Sequence, residues 1–119
     1  MNLRKLAIRA AVLAPLAAVA ATFFLNFCHL IYDCGCMSLW NGATQFCNIE
    51  TAGPPDCPFC AQPNVAYGAL FGTFVVQGVV VFAPGALGLG VRALLGLAAF
   101  PLVVGATGVV LGLHAGYWT

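Results

Sequence analysis

Three stretches of this chain, residues 10–31, 65–87 and 93–114, contain no Asp, Glu, Lys or Arg. At about 1.5 Å of rise per residue, each forms a helix long enough to cross a hydrocarbon core about 30 Å thick. Runs of that length need either a large protein interior or lipid around them. A chain of 119 residues cannot supply such an interior three times over. Only 6% of its residues are charged against 62% hydrophobic, too few to cover a water-facing surface. A net charge of +1 without a basic stripe gives no footprint for nucleic acid, so none is expected as a partner.

The first span follows a basic start, MNLRKLAIR, and passes through an Ala-Val-Ala run at residues 18–20 that fits a signal-peptide cleavage site. The apolar run continues through Phe23, Phe24, Leu25 and Phe27, which points to a retained anchor. Phe27 is too bulky to precede a lipid-modified cysteine at Cys28. The second span contains one strongly polar residue, Gln77, and is bent or ended by Pro84. The third carries Pro101 as an expected kink and is followed by Tyr117 and Trp118, an aromatic anchor for the membrane interface.

Orientation follows from the four basic residues. Arg4, Lys5 and Arg9 precede the first span and Arg92 lies between the second and third, so all four are expected on the cytoplasmic side. The acids Asp33, Glu50 and Asp56 all fall between the first and second spans. The expected fold is an all-α integral membrane protein, N-terminus in and C-terminus out, in a bacterial inner membrane. Residues 1–9 are then cytoplasmic, 32–64 form an extracytoplasmic loop, 88–92 a cytoplasmic turn and 115–119 an outer tail.

That loop carries the chemistry. Six cysteines, Cys28, Cys34, Cys36, Cys47, Cys57 and Cys60, sit in or beside a segment broken by Gly-Pro-Pro-Asp-Cys-Pro. It is too short to bury a core of its own and needs crosslinks, a metal or a neighbour to hold one shape. Outside the cytoplasm an even cysteine count first implies disulfides, each worth about 3 kcal/mol in restricting the unfolded chain. Sequence cannot choose the pairing. Cys34 and Cys36, as alternate residues of an extended chain, are expected to diverge and pair outward, to Cys47, Cys57 or Cys60.

A second reading is a metal site. Cys34-Gly-Cys36 and Cys57-Pro-Phe-Cys60 offer four thiolates in two knuckles, suited to zinc, copper(I) or an iron–sulfur cluster, with Cys28, Cys47 or His29 in support. The first knuckle is one residue shorter than the usual zinc spacing.

The third reading rests on a resemblance. The dipeptide inside Cys57-Pro58-Phe59-Cys60 resembles that of glutaredoxin-type active sites, and its place beside a membrane helix is similar to the quinone-linked disulfide-generating enzymes of the bacterial envelope and to vitamin K epoxide reductase. The resemblance, which covers these residues and a topology, implies a labile disulfide and thiol–disulfide oxidoreductase activity. Those families enclose the quinone in four helices, where this chain supplies three.

His29 and His114 fall at one membrane depth, at the outer ends of the first and third spans, and are candidate ligands for haem, copper or a pigment magnesium. Gly68 with Gly72, and Gly108 with Gly112 and Gly116, recur at the spacing that lets membrane helices approach closely. The second and third spans contain no acid, Lys or Arg for a proton relay or ion path, and no nucleophile–base set is present. The leading expectation is therefore a non-catalytic accessory subunit of a larger respiratory, photosynthetic or oxidase-type membrane assembly, packing on other membrane subunits.

Overall fold

The structure, a computed structural model, describes residues 2–43, 45, 47 and 56–118. Glu50 and the Gly-Pro-Pro segment ahead of Asp56 lie outside the described residues. Four α-helices account for most of the rest: α1 (Leu3–Tyr32), the short α2 (Pro58–Ala61), α3 (Pro63–Phe82) and α4 (Leu89–Ala115). Among the described residues there is no strand. Helices α1, α3 and α4 are long and apolar enough to cross a membrane.

The helix ends follow local chemistry. The Asn2 side chain caps α1 by accepting from the Lys5 amide at 2.9 Å, and Asp33, in the left-handed region at φ +50°, closes its other end. Helices α2 and α3 both open on proline, which has no amide to leave unpaired in a first turn. Helix α3 stops at Phe82, ahead of Pro84, rather than running on to residue 87. Helix α4 passes through Pro101 and ends at Gly116, whose φ of +69° favours a residue without a Cβ.

Most of each long helix is exposed within the chain, with Leu94, Leu102, Phe71 and Val110 all about two-thirds accessible or more. Lipid is the solvent such a surface requires. Packing between the helices combines buried apolar side chains such as Phe100 and Val104 with small and polar residues. Gln77, fully buried, donates from Nε2 to the Gly96 carbonyl of α4 at 3.0 Å and to the Leu16 carbonyl of α1 at 3.4 Å, and so ties all three helices together. Thr73 and Thr107 return their hydroxyls to carbonyls four residues back, which pairs them within their own apolar helices.

The bundle has two chemically distinct ends. At the basic end Arg92, 1% exposed, folds back and donates to the carbonyls of Val80, Gly85 and Leu87, while Arg9 donates to those of Phe82 and Ala83. Two guanidinium groups thereby satisfy carbonyls where α3 ends, the favourable end of its dipole for positive charge. At the opposite end α1 finishes, α2 and α3 begin, and the six cysteines gather. Asn26 donates to the Ser38 hydroxyl at 2.9 Å, and Trp40, in a 3-10 turn at Leu39–Asn41, packs edge-on against Phe23, so the loop lies back against α1.

Candidate metal centre

The cysteines arrive from three places. Cys28 stands one turn before the end of α1, Cys34, Cys36 and Cys47 follow in the loop, and Cys57 caps the start of α2 with Cys60 inside it. All but Cys60 are buried, at 3% exposure or less, and Cys60 is partly open. Their sulfurs form one continuous cluster. Sγ–Sγ separations are 3.3 Å for Cys28–Cys57, 3.7 Å for Cys28–Cys34, 3.3 Å for Cys34–Cys36, 3.2 Å for Cys47–Cys60 and 3.9 Å for Cys36–Cys60.

Cys34 and Cys36 do not diverge as an extended chain would have them do. Gly35 between them has φ +92°, and Asp33 before them φ +50°, so the chain turns twice and brings both sulfurs to one side. The turn is pinned from outside the cluster: the Gly35 amide donates to His29 Nδ1 at 2.9 Å, and His29 Nε2 lies 3.5 Å from an Asp33 carboxylate oxygen. His29 is thus engaged in holding the Cys34–Cys36 turn. His114 is exposed on α4 and lines a shallow apolar groove with Val65, Ala106, Thr107, Val110 and Leu111, which His29 does not line.

The four-sulfur set expected from the two knuckles is not how the sulfurs group. They fall into three groups of three, Cys28 with Cys34 and Cys57, Cys34 with Cys36 and Cys47, and Cys47 with Cys57 and Cys60, all within 4.8 Å inside each group. Cys28 and Cys47 are therefore full members rather than support. Nor is the Cys57–Cys60 pair isolated, since the short contact of Cys57 is to Cys28 and that of Cys60 is to Cys47.

These separations suit a shared soft cation. A metal bound at about 2.3 Å by thiolates in a tetrahedron sets its sulfurs about 3.8 Å apart, whereas a disulfide needs about 2.05 Å. The surroundings favour ionised sulfur. Contact with the Cys28 thiol first, then with Cys36, draws Cys34 down to about 6, helped by its bond from the Cys36 backbone amide. Cys36, Cys57 and Cys60 are lowered as well, each chiefly by the Cys28 contact. The Cys60 amide donates to Cys57 as the Cys36 amide does to Cys34. Amide-to-sulfur bonds of this kind orient thiolate ligands and spread their charge. The cysteine groups in this protein could hold a metal ion.

Aromatic rings close the site. Phe59 lies between Phe24 and Tyr32, at ring separations of 5.6 and 5.4 Å, and Tyr32 in turn meets Tyr117 and stacks on Trp118. The Tyr32 hydroxyl donates to the Gly108 carbonyl, and the Tyr117 hydroxyl donates to the Tyr32 carbonyl at 2.6 Å. Gly108 and Gly112 serve this packing, for a Cβ at Gly108 would meet Ile31 at 3.0 Å and Phe59 at 3.3 Å, and one at Gly112 would meet Trp118 and Tyr32. Gly116 ends α4, Gly72 faces Val103 of α4, and Gly68 faces open space. Sequence reasoning had missed Tyr32, Phe59 and Gly35; only the glycine, set between two cysteines, carried a readable signal.

No known protein family, curated protein or solved structure matches this chain.

Proposed function

We propose that this chain is a membrane-anchored metal–thiolate protein that holds a soft metal, zinc or copper(I), at the six-cysteine end of its bundle. The observation that carries the reading is the convergence of all six sulfurs into one cluster with separations of 3.2 to 3.9 Å. Thiolates select such metals, and the amide-to-sulfur bonds and promoted thiol ionisation at Cys34, Cys36, Cys57 and Cys60 are what a metal site requires. We further propose that the basic end, with Arg9 and Arg92 packed together on α3, faces the cytoplasm and the cysteine end faces outward from a bacterial inner membrane.

The test is isolation of the full chain from membranes without oxygen, with metal analysis and mass-spectrometric thiol counting. Bound metal, and six thiols alkylated only after its removal, supports the reading. Three disulfides and no metal overturns it and restores the disulfide-fixed loop.

A second reading, an accessory subunit of a larger membrane assembly, is favoured by the open side of α3. There Gly68 faces open space between Tyr67 and Phe71, which are 73% and 68% exposed. A small residue open to the outside, with exposed aromatic side chains beside it on the strip, lets a partner helix approach closely. Migration of the gently extracted chain as part of a larger complex supports this reading, and a Gly68→Leu variant that leaves that complex intact removes the strip from it.

A further inference from the structure

The grouping of the sulfurs carries more than the presence of a site. Each of the three groups shares one sulfur with each of the others: Cys34 joins the first and second, Cys47 the second and third, Cys57 the first and third. Cys28, Cys36 and Cys60 each belong to one group. The pattern is three triangles joined at their corners, with Cys34, Cys47 and Cys57 shared and Cys28, Cys36 and Cys60 unshared.

We propose that the site binds three copper(I) ions as a thiolate-bridged cluster, one ion in each triangle, with Cys34, Cys47 and Cys57 as bridges. This rests on the metal–thiolate reading above and deepens it. Coordination arithmetic selects the metal. A ring of three tetrahedral ions, each with two bridging and two terminal ligands, needs nine sulfurs, and two such ions sharing an edge need two groups of four. Three three-coordinate ions need three bridges and three terminal ligands, which is the set present. Zinc in structural sites is almost always four-coordinate. Copper(I), a closed-shell soft cation, is stable with three thiolates and binds sulfur in preference to harder ligands. Loading involves no redox step: three copper(I) ions displace the protons of six thiols, and those protons pass to solvent.

The surroundings fit this cargo. A cleft of about 480 Å³ opens beside the cluster, with Cys28 and Cys60 in a wall otherwise formed by apolar side chains such as Phe24, Phe59 and Leu70. It offers access at the partly open Cys60, while its apolar lining and the burial of the other five cysteines limit contact with water, in which free copper(I) disproportionates.

The experiment is an anaerobic titration of the reduced full chain in lipid nanodiscs with copper(I), buffered by a competing chelator. Bound copper is counted by native mass spectrometry and its ligands by X-ray absorption. The expected result is three copper ions per chain, three sulfurs around each, and a copper–copper scattering vector. Bridge and terminal variants then separate. Cys57→Ser destroys two triangles and leaves capacity for one ion, whereas Cys60→Ser destroys one and leaves capacity for two. Circular dichroism on each variant checks that the helices are retained, and Cys34→Ser and Cys36→Ser repeat the comparison in the other knuckle. A single copper, equal losses in bridge and terminal variants, or preferential uptake of two four-coordinate zinc ions overturns the cluster while leaving a metal–thiolate centre in place. Failure to bind either metal overturns both.

Discussion

Replacing Gly35 with alanine tests whether backbone geometry, rather than the mere presence of thiols, assembles the site. Gly35 sits at φ +92° and its amide donates to His29 Nδ1. A residue with a Cβ pays about 1–2 kcal/mol in the left-handed region. If the turn relaxes to avoid that strain, the amide bond to His29 goes too, at about 1 kcal/mol. Whichever response the turn makes, the cost is about 1–2 kcal/mol, or about 5- to 30-fold in an equilibrium constant. Where it is read depends on the metal-free state. If the loop relaxes without metal, Gly35→Ala lowers metal affinity by that factor. If the loop keeps its turn, the same energy is lost from folding stability and affinity hardly changes. Competition titration and unfolding in detergent, run on one preparation, should therefore give losses that together reach about 1–2 kcal/mol. Gly35→Asn, which tolerates positive φ, should recover most of the loss. A Gly35→Ala protein unchanged in both measurements would refute the argument that this turn brings Cys34 and Cys36 to one side.

Gln77→Leu should leave the bundle as stable or make it more so. Its two donated bonds are worth about 0.6 kcal/mol each in a membrane protein, while its buried Oε1, without a partner among the described residues, costs about 1–3 kcal/mol; a loss above about 2 kcal/mol in detergent unfolding contradicts this balance. Gly112→Ala should cost about 1–3 kcal/mol because both neighbours are rigid rings. If Trp118 swings out instead, its emission, followed in a Trp40→Phe background, should shift to the red. In the reduced, metal-free protein Cys34 ionises at about 6 against 9.0 for an ordinary thiol, so the folded state binds fewer protons between those values. Stability should rise from pH about 6 to about 9, hold above that as far as this group is concerned, and be lost on acidification through 6, as thermal melts across the range would show. An opposite slope in that window would mean that the thiols do not hold one another ionised.

The three helices were legible because lipid imposes its requirement locally. A span must be apolar and continuous, and each was visible as a run free of charge. What the spans do to one another was less so. Gln77 was readable as a packing residue, but not that it reaches two helices at once, because that depends on how α1 is rotated against the α3–α4 pair. Arg92 was placed in a turn, whereas its guanidinium fills the space where α3 ends, a contact that follows from Pro84 stopping that helix early. The glycine spacing was visible as a pattern, yet Gly108 and Gly112 serve this chain's own Tyr32, Phe59 and Trp118, and a repeat of small residues does not state which surface will meet it.

The site resisted sequence reasoning for a different reason. In the bundle each helix is set by its own apolar run; in the loop the shape rests on the gathered cysteines and on a few contacts to α1, those of Ser38, Trp40 and Gly35. Two knuckles, each legible by its spacing, suggested four ligands, and the more distant Cys28 and Cys47 counted only as support. Yet Cys28 is carried on the rigid end of α1 and touches both Cys34 and Cys57, so it is the fixed point around which the loop sulfurs gather. Spacing along a chain reports which ligands are near in sequence, and only the end of a helix can report which one is already in place. A segment too small for a core takes its fold from what its side chains bind, so its structure and its ligand set are one unknown. In space α1 presents Cys28, the Gly35 turn brings in Cys34 with Cys36, and α2 carries Cys57 and Cys60 against it, so that a metal bound as proposed would supply the core the loop lacks.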